Sequence, residues 1–192
     1  MTGQLISLGT AFFWAMTVAL FEYAGKSLGS LVVNTLRLIY GLLFIAIILL
    51  ITKGYLMAST SFEGWTYLAL SGLFGFIIGD FFLFQAFIDI GGRLSLLLYS
   101  TTPIFGALID YFVFGEVLGF YSILGIVITL FGIGIAVQSR GREKVKNKHL
   151  LRGSFFAVIG AVGQATGLIF SKLGLTQGLS AFEVTQMRIL VG

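Results

Sequence analysis

Residues 31–51 read LVVNTLRLIYGLLFIAIILLI, an apolar run that holds one charged side chain, Arg37. A helix of roughly 20 such residues can cross the hydrocarbon core of a bilayer, which is about 30 Å thick. The run is apolar on all its faces, whereas the strands of a membrane barrel are short and alternate apolar with polar residues. The stretch therefore predicts a transmembrane helix.

Similar runs occupy most of the chain on either side of this one. We predict seven spans, at residues 5–23, 31–51, 65–88, 94–114, 120–137, 154–173 and 181–192. The last run is too short to cross a bilayer, so we expect the chain to be the first part of a longer protein. The predicted fold class is all-α, a polytopic transmembrane helical bundle.

The composition fits a protein that faces lipid. Hydrophobic residues make up 57% of the chain and charged residues 10%, and the mean hydropathy is +1.02. A soluble domain carries about 25% charged residues, because its surface faces water. The chain has no cysteine and a single histidine, His149, so we expect no disulfide framework, no metal site and no cofactor. The basic residues concentrate in one segment, so the net charge of +4 does not indicate nucleic-acid binding.

That basic segment, residues 139–152, reads SRGREKVKNKHLLR and separates two similar parts of the chain. Arg37 stands early in the second span, within NTLRLIYG, and Arg188 stands early in the seventh, within TQMRILVG. Five spans lie between the starts of the two parts, and an odd number reverses the orientation in the membrane. Inverted repeats of this kind are typical of secondary transporters.

Residues 94–137 read LSLLLYSTTPIFGALIDYFVFGEVLGFYSILGIVITLFGIGIAV, with a proline in mid-helix, a glutamate at the helix end and then a glycine-spaced helix. This order resembles the fourth and fifth helices of the EamA-type transporters of the drug/metabolite transporter superfamily. The residues that carry the resemblance are Pro103, Glu116, Gly125 and Gly132, with Trp14, Arg37, Gly79 and Ala86 in the first three spans.

The resemblance implies about ten helices in two inverted five-helix repeats around a central substrate cavity, of which about seven are present here. Residues 1–138 then form the first repeat, 139–152 the linker and 153–192 the start of the second repeat. The implied function is alternating-access transport, often outward, of small metabolites, amino acids or drugs, by exchange or with a coupling proton. The implied location is the cell membrane, as a multi-pass protein, with lipid and a small-molecule substrate as partners; no particular oligomeric state is indicated.

Two charged residues fall at similar depths in neighbouring spans. Arg37 lies about 9 Å from the start of the second span, and Asp80 lies about 12 Å from the end of the third, at 1.5 Å per residue. Both depths are measured from the same membrane face, so we predict an Arg37–Asp80 ion pair. A charge inside the membrane is costly and usually faces the bundle interior with a partner. The alternative is an arginine that reaches the interface and an unrelated aspartate.

The fourth span carries a polar face of Tyr99, Pro103, Gly106 and Asp110, at spacings that place them on one side of a helix. Pro103 frees a backbone carbonyl and permits a kink, which is tolerated at this depth where it lines a cavity. With the hydroxyl of Thr102 nearby, we interpret this face as a cavity wall. Ordinary packing around a proline kink is the alternative.

Weaker polar faces occur on the first and sixth spans. Trp14 shares a face of the first span with Thr10 and Thr17, and Gln164 shares a face of the sixth with Gly167 and Ser171. We include Trp14 and Gln164 among the cavity residues, although small polar residues more often mediate helix packing. Close helix contacts are predicted at two GxxxG pairs, Gly75 with Gly79 and Gly163 with Gly167.

Charge bias and family resemblance give opposite orientations. Lys26, Arg93 and the basic linker fall on one side of the membrane, and the positive-inside rule places that side in the cytoplasm. The relatives that the chain resembles have both termini in the cytoplasm, which places the linker outside.

Two other classes of function stay open beside the transporter, although we expect no enzyme. An intramembrane aspartyl enzyme requires Asp80 and Asp110 within a few ångströms of each other, where like charges force their titrations apart. A structural or assembly protein of the membrane requires that the polar faces be sealed by side-chain packing.

Overall fold

The computed structural model describes residues 2–141 and 149–192 and, within them, the side chains of residues 5, 6, 8–135 and 149–192. The described parts form seven helices and contain no strand. The helices are α1 (Thr2–Leu28), α2 (Ser30–Lys53), α3 (Phe62–Ile90), α4 (Gly92–Phe114), α5 (Phe120–Gly141), α6 (Leu150–Leu175) and α7 (Ala181–Val191). The predicted all-α class is confirmed.

Four of these helices, α2, α3, α4 and α6, are long and apolar enough to cross a membrane, and α5 contains a shorter apolar helix at Phe120–Ile135. Large apolar side chains such as Leu43, Phe44 and Ile51 of α2 are exposed, as expected for a surface that faces lipid. The chain is a polytopic membrane protein.

The basic linker predicted at residues 139–152 overlaps the two neighbouring helices. Helix α5 continues to Gly141 and α6 begins at Leu150, so both ends of the predicted linker are helical. Its central part, residues 142–148, lies outside the described residues.

Helix α3 changes its geometry half-way along. Phe62–Gly72 and Asp80–Ile90 are α-helical, whereas Leu73–Gly79 forms a π-helix. The backbone N–H of Asp80 donates to the carbonyl of Gly75, which is the i→i+5 pattern of a π-helix. Asp80 thus lies at the point where regular α-helix resumes.

Helix α4 is broken rather than kinked. An α-helical segment, Gly92–Tyr99, ends in a turn at Ser100, and a second segment, Thr102–Phe114, follows. Pro103 stands in the first turn of this second segment, where its missing N–H has no intrahelical partner to lose. The prediction of a mid-helix kink was wrong in this respect, because Pro103 starts a helix instead of bending one.

Helix α6 packs along the whole length of α3 in the opposite direction. Gly174 meets Leu68 near one end, Gly163 meets Gly79 in the middle and Gly153 meets Ile90 at the other end. The third and sixth of successive membrane spans run in opposite directions in any alternating topology, so the predicted inverted repeat stays a prediction.

The two predicted GxxxG pairs lie against each other in the middle of this interface. A Cβ at Gly167 would stand 2.8 Å from the Cα of Gly75, and one at Gly163 would stand 2.9 Å from the Cα of Gly79. The hydroxyl of Ser71 donates to the carbonyl of Gly167 at 2.5 Å. The prediction of close helix contact is confirmed, because only glycine allows the two backbones to approach this closely.

A buried apolar cluster lies where α1, α2 and α3 meet. It is formed by Val18, Val33, Leu83, Phe84 and Phe87, with Trp14 and Tyr99 packed against it. The cluster therefore packs against two residues, Trp14 and Tyr99, that line a cavity between the helices.

Candidate substrate cavity

A cavity of about 330 Å³ lies between α1, α2, α3, α4 and α6. Six of the eight residues predicted for a substrate cavity line it, together with Phe76 and Leu168. The six are Trp14, Arg37, Asp80, Tyr99, Thr102 and Gln164. Residues from five helices are thus brought together inside the bundle.

The predicted ion pair is present at this cavity. Arg37 Nη2 lies 2.5 Å from Asp80 Oδ2, and the Asp80 residue is only 2% exposed. Arg37 Nη2 also donates to Asn34 Oδ1 at 3.0 Å, and Asn34 Nδ2 donates to the backbone carbonyl of Phe76 at 3.0 Å. Asn34 therefore binds the same guanidinium nitrogen as the carboxylate and connects it to the π-helical segment of α3.

Aromatic rings cover the Arg37 guanidinium. Its central carbon lies 5.2 Å from the centre of the Phe84 ring and 5.4 Å from that of Phe76. Cation–π attraction at such distances offsets part of the cost of burying the charge. The pair is thus held by one carboxylate, one amide and two ring faces.

A second buried arginine, Arg188 of α7, lies beside the same cavity. It is 7% exposed, and its guanidinium carbon lies 4.6 Å from the centre of the Phe76 ring, the ring that Arg37 also contacts. Its Nε and Nη2 have no hydrogen-bond partner, and neither does Arg37 Nε. The comparison of the two halves of the sequence matched Arg188 to Arg37 but did not place Arg188 in the cavity. Its position in an apolar run could have indicated a buried charge at a functional site.

The remaining polar lining residues differ in how they are satisfied. Thr102 Oγ1 donates to the carbonyl of Tyr99 at 2.6 Å, so this hydroxyl supports the break in α4. Gln164 Oε1 is buried and has no hydrogen-bond partner. The side-chain oxygen of Gln164 is therefore an unused hydrogen-bond acceptor at the cavity.

Pro103 and Asp110 do not line this cavity. They line a second cavity, of about 550 Å³, between α4, α5 and α6, which shares Thr102 and Leu168 with the first. Lys172 Nζ lies 3.7 Å from Asp110 Oδ1, beyond hydrogen-bond distance. The predicted single polar face of the fourth span is therefore divided between two adjacent cavities.

The two membrane carboxylates are consequently not paired with each other. Asp80 lines the first cavity with Arg37, and Asp110 lines the second with Lys172. Among residues 2–141 and 149–192, no cluster of three or more metal-ligating side chains occurs.

Comparison with protein families decides the affiliation of the chain. The model of the EamA-like transporter family matches residues 1–138. The chain belongs to the EamA-like transporter family. Comparisons with curated proteins and with solved structures gave no significant match.

EamA-like proteins are membrane transporters of the drug/metabolite transporter superfamily, so the resemblance stated from the sequence is confirmed. The matched range contains Trp14, the Arg37–Asp80 pair and both segments of α4. Gln164 and Arg188 lie beyond it, in the part of this EamA-like chain that follows the linker.

Proposed function

We propose that this chain carries the substrate cavity of a secondary transporter, which moves small metabolites, amino acids or drugs across the cell membrane by alternating access. The family resemblance favours export of the substrate or its exchange for another solute. In a prokaryotic cell the membrane would be the cytoplasmic one.

The observation that carries this proposal is the 330 Å³ cavity lined by the buried Arg37–Asp80 pair. Charged side chains inside a membrane protein are costly, and they typically mark a substrate or ion pathway. Aromatic walls with a few convergent polar groups are typical of small-molecule sites. A structural protein without a cavity would have its polar faces sealed by packing, whereas the polar residues of this chain line a cavity. An intramembrane aspartyl enzyme would need Asp80 and Asp110 next to each other, whereas each lines a different cavity.

We further propose the second cavity as the route by which a coupling proton enters or leaves. It adjoins the first cavity at Thr102 and Leu168, and it presents the Asp110 carboxylate beside Lys172. Carboxylates inside membrane transporters commonly belong to proton relays, so Asp110 is the residue that we propose for coupling.

The test is substrate uptake and counterflow by the protein as the cell expresses it, reconstituted in proteoliposomes with a panel of metabolites. We expect flux in the wild type and its loss in Asp80→Asn and in the double variant Arg37→Gln/Asp80→Asn, which leaves the net charge at the cavity unchanged. Asp110→Asn should retain counterflow but lose its response to a proton gradient.

The matched control is Glu63→Gln, which removes an exposed carboxylate in the first turn of α3, away from both cavities. No flux of any solute in a folded wild type would contradict the transporter. Flux that survives in the double variant would remove the pair from the site.

A further inference from the structure

The charges beside the first cavity do not balance. Arg37 forms its ion pair with Asp80, whereas Arg188 has no ion pair in the part of the chain that the structure describes. Arg188 acts on Asp80 only from a distance, and Asp80 is already occupied by Arg37. Two guanidinium groups and one carboxylate leave one uncompensated positive charge.

The donors of Arg188 are also unused. The residue is more than nine-tenths buried, yet its Nε and Nη2 lack hydrogen-bond partners. Buried guanidinium groups are normally both paired and hydrogen-bonded. A missing partner of negative charge, with oxygen acceptors, would meet both needs.

The unused donors lie next to the cavity wall. A Cβ placed at Gly75 would stand 3.0 Å from Arg188 Nη2 and 3.6 Å from Gln164 Oε1, so both groups pack closely against this glycine. Gln164 and Phe76 line the cavity, and Phe76 also contacts the Arg188 guanidinium. The Arg188 guanidinium therefore lies directly behind a residue that lines the cavity, Phe76.

From this arrangement we infer that the cavity takes a small organic anion, whose carboxylate pairs with Arg188 while Trp14 and Tyr99 contact its apolar part. The planar guanidinium fork matches a carboxylate in two parallel hydrogen bonds. This inference rests on the proposed function in taking the cavity as the substrate site, and it adds the class of substrate.

The fluorescence of a tryptophan at the cavity can report ligand binding. The chain has two tryptophans, Trp14 at the cavity and Trp65 at the end of α3, so Trp65→Phe leaves Trp14 as the single fluorophore. The protein in neutral detergent is titrated with benzoate, benzamide and benzylamine, which share a ring and differ in charge. We expect benzoate to bind roughly tenfold or more tightly than benzamide, the size expected from hydrogen bonds to a charged group.

The variants assign this preference to one side chain. Arg188→Gln should remove the preference for benzoate, and Arg188→Lys, which keeps the charge but not the fork, should retain part of it. Arg93→Gln removes an exposed arginine and should leave it unchanged. Circular dichroism of each variant checks that the helices are intact.

Equal binding of benzoate and benzamide, tighter binding of benzylamine, or a preference that persists in Arg188→Gln would overturn the inference. The outcome is independent of flux. Benzoate preference in a protein that transports nothing would contradict the proposed function alone, and flux of neutral or cationic solutes without benzoate preference would contradict this inference alone.

Discussion

The contact between α3 and α6 leaves no room for a methyl group at Gly167. A Cβ there would stand 2.8 Å from both the Cα and the N of Gly75, whereas carbon atoms in contact lie about 3.5–4.0 Å apart. The two helices would have to separate by roughly 1 Å, and overpacking of this kind costs about 1–3 kcal/mol. Separation would also stretch the bond from Ser71, which in membrane proteins contributes about 0.6 kcal/mol.

We therefore expect Gly167→Ala to lower the free energy of unfolding by about 2–3 kcal/mol. The measurement is reversible unfolding in mixed micelles of neutral detergent and sodium dodecyl sulfate, followed by circular dichroism. Gly125→Ala in α5 is the matched control, because nothing lies within 4 Å of a Cβ there. Its effect should stay below about 1 kcal/mol. Equal stability of the two variants would refute the packing argument.

Three further variants test two polar contacts. Asp80→Asn should cost about 3–5 kcal/mol, because it leaves the Arg37 charge buried without its partner, and Arg37→Gln/Asp80→Asn should recover most of that loss in the same unfolding assay. A double variant no more stable than the single one would contradict this. Tyr55 donates its hydroxyl to Glu183, and this hydrogen bond raises the pKa of Tyr55 above its usual 10.0. The wild type should exceed Tyr55→Phe in stability below pH 10, and the difference should vanish as pH rises through the raised pKa; a pH-independent difference would contradict it.

The helices could be predicted from the sequence because lipid imposes a simple requirement. Every backbone group inside the hydrocarbon core must be satisfied within its own segment, so long apolar runs such as residues 31–51 have essentially one solution. The π-helical segment Leu73–Gly79 could not be predicted in this way. It preserves the apolar character of the run, and its hydrogen-bond shift leaves no mark in composition.

The Arg37–Asp80 pair was predictable because depth along a helix converts directly into height in the membrane. The division of Pro103 and Asp110 from the other site residues was not, because it depends on the break in α4 and on where α6 packs. Arg188 was missed as a site residue for a related reason. Its height could be counted along the chain, but its contact with Phe76 depends on the position of α7 beside α3.

The π-helical segment of α3 has a consequence for how the two halves of that helix face their neighbours. One residue more than an α-helix needs rotates everything beyond it by about 100°. The face that Phe62–Gly72 turns towards α6 is therefore independent of the face that Asp80–Ile90 turns towards α6. Without the additional residue, a helix oriented so that Ser71 contacts Gly167 would point Asp80 away from Arg37. The π-helical segment thus lets one continuous helix pack its backbone closely against α6 and also direct the Asp80 carboxylate towards Arg37.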